Sequence, residues 1–445
     1  MALDLDALYL DLHRNPELSF QETRTAGVIA EKLRELGIPF EEGVGGTGVV
    51  AILRNDRGDS SDSNDRSDST QDTATQDTTT HSTPGTHTDD STPARTPGGP
   101  VVWLRADMDA LPVEERTGLA YASTARGIDP AGHDVPVMHA CGHDMHVTAL
   151  LGALETLANT TSEWSGTVVA LFQPAEEYGA GSRAMLDDGL IDRAPRPDVV
   201  LGQHVTPLPA GMIGVRAGTQ MAASDGLTVT LHGRGGHGSR PHSTIDPVVM
   251  AASTVMRLQT VVSREVDPRD VAVVTVGSIH AGLKNNIIPA EATLELSLRY
   301  PDDALRTTVM DAVERIVRAE AAASGAETEP TIVVDHTLPA TINDTAATAR
   351  LTAAFRRAFG DDAVVDPGMF TGSEDVSWFA RETGVPLVYW FWGGIDPEAF
   401  AAAQAAGTLD RDIPTNHSPF FAPVIHPTIE RGVENLVVAA REWLG

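Results

Sequence analysis

Cysteine is nearly absent from this chain: Cys141 is the only one in 445 residues. One thiol cannot close an intrachain disulfide, so a secreted disulfide scaffold is excluded. Lysine is almost as scarce, since only Lys32 and Lys284 among the 32 basic residues are lysines. No run of ~18 apolar residues occurs, so no membrane-spanning helix is expected. The start, Met1-Ala2-Leu3-Asp4-Leu5-Asp6, has neither a basic nor an apolar leader region. No signal peptide is expected, and a cytoplasmic location is. Positive charge is in deficit, with 62 acidic against 32 basic side chains and a net charge of −30. Such a chain repels phosphate backbones and anionic lipid, so neither nucleic acid nor membrane is an expected partner. Arginine with abundant aspartate and almost no lysine fits a salt-adapted, halophilic protein. Hydrophobic residues make up 41 %. That suffices for a core, which excludes a wholly disordered chain, and the length suits two globular units.

Residues 54–99 break the pattern. They contain no Val, Ile, Leu, Met or aromatic residue. A stretch that buries no apolar area cannot offset its ordering entropy, so a disordered insertion is expected. It separates Gly48-Val49-Val50-Ala51-Ile52-Leu53 from Val101-Val102-Trp103-Leu104, which read as two strands of a hairpin. Its nine aspartates and four arginines sum to −5, which leaves −25 on the rest. His81 and His87 within it read as solvated.

The remainder alternates apolar runs with helical periodicity, which predicts an α/β fold. Helices are expected over 5–12, 23–36 with Gly37 as C-cap, 345–359 and 428–444. Buried strands are expected over 168–172, 199–201 and 386–390. Between about 218 and 333 the pattern changes to strictly alternating strands, 227–231 and 293–299, with helices over 247–262 and 304–323. That segment reads as a small α/β sandwich inserted into a larger discontinuous domain. The expected boundaries are 1–217, 218–333 and 334–445.

Met138-His139-Ala140-Cys141-Gly142-His143-Asp144-Met145-His146 places five potential ligands within eight residues. Thiolate and imidazoles suit zinc, manganese, cobalt or nickel, and a thiolate can bridge two ions. In an extended segment Cys141 and His143 would point to one face, with Gly142 between them letting the backbone approach an ion. The absence of a second cysteine argues against a closed structural zinc site. Gln173-Pro174-Ala175-Glu176-Glu177 follows a strand, where α/β sheets place their sites. Beside a metal, one carboxylate can ligate while the other deprotonates water. Gly202-Gln203-His204 follows the next strand. Asn416-His417-Ser418-Pro419 lies near the end. Asp107 and Asp109, i and i+2 after another strand, would ligate a metal, orient a ligating histidine, or cap a helix. Gly368 to Asp375 is expected to line part of a pocket. The run Tyr389-Trp390-Phe391-Trp392 would either contact an acyl group or pack in the core.

Seven such segments occur in order: 105–112, 138–146, 174–177, Gly233-Arg234-Gly235-Gly236-His237 with Pro241-His242, Asn286-Ile287-Ile288-Pro289, Gly372-Ser373-Glu374-Asp375 and 416–419. With the opening His13-Arg14-Asn15-Pro16-Glu17, they resemble the aminoacylase/carboxypeptidase-type metallopeptidases and amidohydrolases, peptidase family M20. The branch resembled holds hippurate hydrolases, N-acyl-amino-acid amidohydrolases and auxin-conjugate hydrolases. The likeness covers nearly the whole chain except 54–99.

The resemblance implies a zinc-peptidase-like catalytic domain, with a mixed sheet flanked by helices. It also implies an inserted lid or dimerisation domain and a homodimer paired through it. By similarity, Cys141, His143, Glu177, His204 and His417 would hold two divalent metal ions, with Cys141 as the bridge. Glu176 would be the general base. His237 would stabilise the oxyanion, in its own or a partner subunit's site, with Asn286 assisting. Arg299 would bind the substrate carboxylate, with Glu374 and Asp375 also on the substrate side. Asp109 sits where the family keeps a ligand-orienting aspartate. Asp107 replaces a metal-binding histidine of other branches, which puts its own ligand role in doubt. The implied substrate is a small N-acyl amino acid, or alternatively a short peptide cut by a carboxypeptidase or dipeptidase with the same chemistry. Two further readings compete: a hydrolase with Cys141 as nucleophile, and a metal-binding homologue without activity.

Overall fold

The structure, a computed structural model, describes residues 2–55 and 99–445. The expected disordered insertion therefore lies outside the described residues, apart from its two ends. Arg54 and Asn55 close the strand Gly48–Asn55, paired with Thr167 and Gly166. No helix among the described residues is long and apolar enough to cross a membrane.

An eight-stranded mixed sheet forms the larger unit. Its order is Phe40–Val44, Gly48–Asn55, Gly166–Gln173, Val101–Asp107, Val199–Pro209, Leu387–Ile395, Ile213–Gly214 and Val364–Val365. The strands on either side of 54–99 are not hairpin partners, contrary to expectation. Gly166–Gln173 lies between them, antiparallel to the first and parallel to the second. The parallel pairing needs a crossover, and helix His143–Asn159 supplies it. Strands buried on both faces read as uniform apolar runs, so nothing local marks their neighbours.

Alternation decides which layer each side chain enters. Val102, Leu104, Ala106, Val168, Ala170 and Phe172 join the cluster with Leu8, Ile29, Leu33, Leu150, Leu154, Leu351 and Leu436. Those partners lie on helices Leu5–Arg14, Thr23–Leu36, His143–Asn159, Thr345–Phe359 and Thr428–Leu444. Val101, Trp103, Val169 and Leu171 turn to the opposite layer, with Met185, Phe379 and Ala380 from two short helices. The sheet is thus flanked by helices on both faces.

The smaller unit is a four-stranded antiparallel sheet, ordered Val273–Ala281, Glu291–Tyr300, Ala223–His232 and Thr331–Leu338. One face packs on helices Pro247–Thr260 and Asp303–Ala323, through Leu227, Val229, Leu294, Leu296, Met250, Val313 and Ile316. The residues between them, including Thr228, Glu295, Ser297 and Arg299, occupy the other face. The boundary expected at 333 cuts the strand Thr331–Leu338, which stays paired with Ala223–His232 to its end. That strand was illegible because most of its residues are exposed at an edge. Its polar residues give no core signal. Asp225, buried between the strands, accepts a two-pronged contact from Arg306 at 2.7 and 2.9 Å and ties this sheet to its long helix.

Candidate active site

The parallel strands of the large sheet converge on one cavity of about 600 Å³, with the small sheet forming its far wall. Cys141, Glu176, Glu177, His204, Glu374, His417 and Arg299 all line it.

Asp107 ends its strand, and Asp109 follows two residues later. Asp109 is spent on orientation. One oxygen faces His143 Nδ1 at 3.1 Å, while the other accepts Ser19 Oγ–H at 2.7 Å and the Glu177 N–H at 3.0 Å. This leaves His143 Nε2 buried without a partner, as is Glu177 Oε1. The Cys141 sulfur, a His143 nitrogen and a Glu177 oxygen lie within 4.8 Å of one another. Orphaned buried polar atoms of this kind cost free energy unless a partner such as a cation satisfies them. His204 contacts the Val205 carbonyl through Nδ1 at 2.8 Å, which turns Nε2 to within 3.4 Å of the sulfur. His417 Nε2 stands 3.4 Å from Glu177 Oε2. The donor set of thiol, imidazoles and carboxylate fits divalent transition metals.

The cysteine and histidine converge by a different route from the extended segment expected. Gly142 is left-handed, with φ 81°, and begins helix His143–Asn159. A Cβ there would meet Val205 Cγ1 at 2.5 Å. The left-handed turn and this close neighbour account for the glycine. His204 also sits inside a strand rather than after it, because Val199–Pro209 runs beyond the apolar triplet.

His146 lies beside the cluster but is occupied at both ring atoms. Nδ1 contacts Asp107 and Nε2 accepts the Val205 N–H at 3.0 Å. Asp107 in turn meets the Arg105 guanidinium at 2.5 Å. Burial would raise Asp107, but Arg105 and the imidazoles of His143 and His146 outweigh it and hold its pKa well below the carboxylate range. Burial opposes charge on His143 too, yet Asp107 and Asp109 push its pKa to about 10. Glu176 is raised well above its ordinary value, by burial first and then by the carboxylates of Glu374 and Glu177. Burial and the carboxylates of Glu177 and Glu176 raise the Cys141 thiol. Negative groups thus crowd a buried space, and a bound cation would invert this balance.

Glu374 and Asp375 differ from expectation. Glu374 reaches the cavity, but both its oxygens are engaged, by Arg105 at 2.7 and 3.3 Å and by the Tyr389 hydroxyl at 2.7 Å. Asp375 is absent from the cavity wall and is held by Arg105, Gln173 and the Ser182 N–H. Neither has a carboxylate oxygen to offer a substrate. His237, opposite Ile287 in a two-stranded ribbon of the small unit, and Asn286, just before that ribbon's second strand, are both exposed, and neither lines this cavity. Arg299 does line it. Its guanidinium donates to Ser373 Oγ at 2.7 Å, and burial lowers its pKa with no carboxylate to offset this. Phe370, Phe391, Met221 and Leu338 make an apolar wall nearby. Of the aromatic run, Phe391 alone lines the cavity, while Trp390 and Trp392 are core residues.

Sequence reasoning missed Arg105, Ser19, Gln173, Tyr389 and Glu22 as parts of this assembly. An arginine inside an otherwise apolar strand, two residues before Asp107, was the one available signal.

The family model "Peptidase family M20/M25/M40" matches residues 103–415. Thermostable carboxypeptidase 2 of Saccharolobus solfataricus is 34 % identical over 386 residues, 86 % of this chain and 84 % of that protein. Hippurate hydrolase of Campylobacter jejuni is 34 % identical over 372 residues, 83 % of each. A crystal structure of a Bacillus subtilis dinuclear metal-binding peptidase from the M20 family superposes with a TM-score of 0.71. That pair is 26 % identical, over 99 % of this chain and 98 % of the other.

Behind the site, His13 Nδ1 faces Asp144 at 2.7 Å and Nε2 faces Glu115 at 3.3 Å. Burial disfavours its charge, but the two carboxylates outweigh burial and raise its pKa from 6.5 to about 9. A histidine raised on folding stabilises fully below its unfolded pKa and loses that contribution as pH rises through the folded one. Melting temperature should therefore decline between pH 6.5 and about 9. His13→Gln should melt lower at pH 6 and show a flatter profile across that window. Parallel profiles for the two proteins would refute the assignment.

Proposed function

The chain belongs to peptidase family M20/M25/M40 and is a metal-dependent amidohydrolase, and we propose that it hydrolyses the amide bond of N-acyl amino acids carrying acetyl, benzoyl or similar groups. One observation carries this reading. Cys141, His143 and Glu177 present convergent ligand atoms, two of them orphaned and buried, beside a buried Glu176 and an uncompensated Arg299 in one cavity.

Cys141, His143, Glu177, His204 and His417 would hold two divalent ions, drawn from zinc, manganese, cobalt and nickel. Bound there, the ions supply Lewis acidity, which acidifies water and polarises the amide carbonyl. Asp109 fixes His143 and the Glu177 backbone in place for this. Glu176 takes a proton from the attacking water and returns it to the departing amine as the C–N bond breaks. Arg299 pairs with the substrate carboxylate, and the apolar wall takes the acyl group.

His237 and Asn286 are too exposed to act in a closed site of their own subunit. We place them in the cavity of a partner subunit, in a homodimer formed through the small unit, where His237 would donate to the developing oxyanion. A cytoplasmic setting suits the free, buried thiol. The net charge of −30 suits high salt.

Peptide hydrolysis by a carboxypeptidase or dipeptidase is the second reading, favoured by the relatives of that name. A Cys141 nucleophile is disfavoured, because burial and two carboxylates raise its thiol rather than activate it.

Glu176→Gln should lower kcat at least ~10²-fold on a panel of N-acyl amino acids, while metal content stays at the wild-type level. Near-full activity would refute the general base. Arg299→Ala should raise KM about 30-fold for free-acid substrates and little for their amides. Equal losses on both would contradict carboxylate recognition. Raising KCl from about 0.1 to about 2 M should raise the melting temperature by screening self-repulsion. A fall would count against salt adaptation.

A further inference from the structure

The loop carrying Glu176 and Glu177 is held in a conformation that its own residues disfavour. Ala175 has φ 48°, in the left-handed region. A residue with a Cβ is strained there, so something else must impose it. The Ala175 carbonyl accepts from the N–H groups of Ala180 and Gly181 at 3.3 and 3.1 Å. The Ala175 N–H donates to Glu22 Oε1 at 2.8 Å, across 153 residues of sequence.

Glu22 is fully buried, just before helix Thr23–Leu36, and does not line the cavity. The same Oε1 accepts the Phe20 N–H at 2.9 Å. Phe20 is a second left-handed residue that is not glycine, with φ 61°. The other oxygen accepts the Thr47 hydroxyl at 2.5 Å. One carboxylate therefore bridges two strained turns and a third segment. His417 is the third such residue among those described, and it too belongs to the site.

We propose that Glu22 is a positioning residue for amide hydrolysis: by bridging the Ala175 and Phe20 N–H groups it sets the left-handed turn that brings Glu176 and Glu177 together into the cavity. The inference rests on the roles given above to Glu176 and Glu177. Each of its three hydrogen-bond partners is a neutral donor, so its work is reach and acceptance rather than charge. A glutamine of equal length offers the same acceptor to both N–H groups, and the Thr47 hydroxyl can rotate to accept from its amide. An aspartate keeps the charge but is one methylene too short to span both turns. A glycine at 175 would adopt the turn without the clamp.

The test compares metal-loaded, full-length wild type with Glu22→Gln, Glu22→Asp and the double variant Glu22→Asp/Ala175→Gly. Each is assayed for kcat, KM and bound metal on the fastest N-acyl amino acid of the panel. Glu22→Gln should stay within about threefold of wild type in kcat, and Glu22→Asp should lose ~30-fold with KM within about threefold. Adding Ala175→Gly should restore about tenfold, the strain of one left-handed residue expressed as rate. Wild-type kcat in Glu22→Asp, equal losses in Glu22→Asp and Glu22→Gln, or no recovery on adding Ala175→Gly would each overturn the proposal. Glu176→Gln is run alongside. If it is fully active, the reading of the Glu pair falls, whereas if it is dead while Glu22→Asp is unimpaired, only the role of Glu22 falls.

Discussion

The buried guanidinium of Arg105 is the contact around which the site is assembled. It is fully enclosed and reaches Asp107, Gln173, Glu374 and Asp375, which come from three separate stretches of chain. Ionised carboxylates of this number could not share a dry interior without a cation to balance them. With Arg105 beneath them, Asp107 stays ionised and Glu374 is fixed below Glu176. The guanidinium neutralises the floor of the cavity but not its mouth. Cys141, His143 and Glu177 are left with their donor atoms facing one another, which is where a divalent cation would complete the charge balance.

A second constraint is conformational. Left-handed residues that are not glycine number three among those described, Phe20, Ala175 and His417. All three belong to segments that carry or hold the site. Such backbone persists only where surrounding contacts over-determine it. Here those contacts are the Glu22 carboxylate for the first two and the Ala140 carbonyl, which accepts the His417 N–H at 2.8 Å, for the third. The rigid sheet supplies the frame, and a few hydrogen bonds bend the loops at its edge into working positions.

The elements differ in how far they could be read from sequence. Helices Thr23–Leu36, Thr345–Phe359 and Thr428–Leu444 match their expected bounds, because each has an amphipathic stripe and a local stop or start such as Gly37 or Asp344. Strand neighbours were not legible. Gly48–Asn55 and Val101–Asp107 are both buried runs, and only the crossover helix decides that a third strand separates them. The metal-like cluster was visible because five candidate ligands crowd into the eight residues from His139 to His146, two of which, Cys141 and His143, belong to the proposed ligand set. The duties of Arg105 and Glu22 were hidden, since Gln173, Glu374 and Asp375 lie 68 to 270 residues from Arg105 and Ala175 lies 153 residues from Glu22, beyond any periodic pattern. Glu374 and Asp375 looked available to substrate for the same reason, as nothing local shows that Arg105 occupies them.

In the proposed site the cavity would hold two ions joined through the Cys141 sulfur. Anomalous scattering from crystals loaded with manganese or zinc addresses this directly. Two peaks should appear, each within bonding distance of the Cys141 sulfur, with His143, Glu177, His204 and His417 completing the ligand set and the ions ~3.5–4 Å apart. A single peak, or peaks that leave the Cys141 sulfur unligated, would rule out a pair of ions bridged by Cys141.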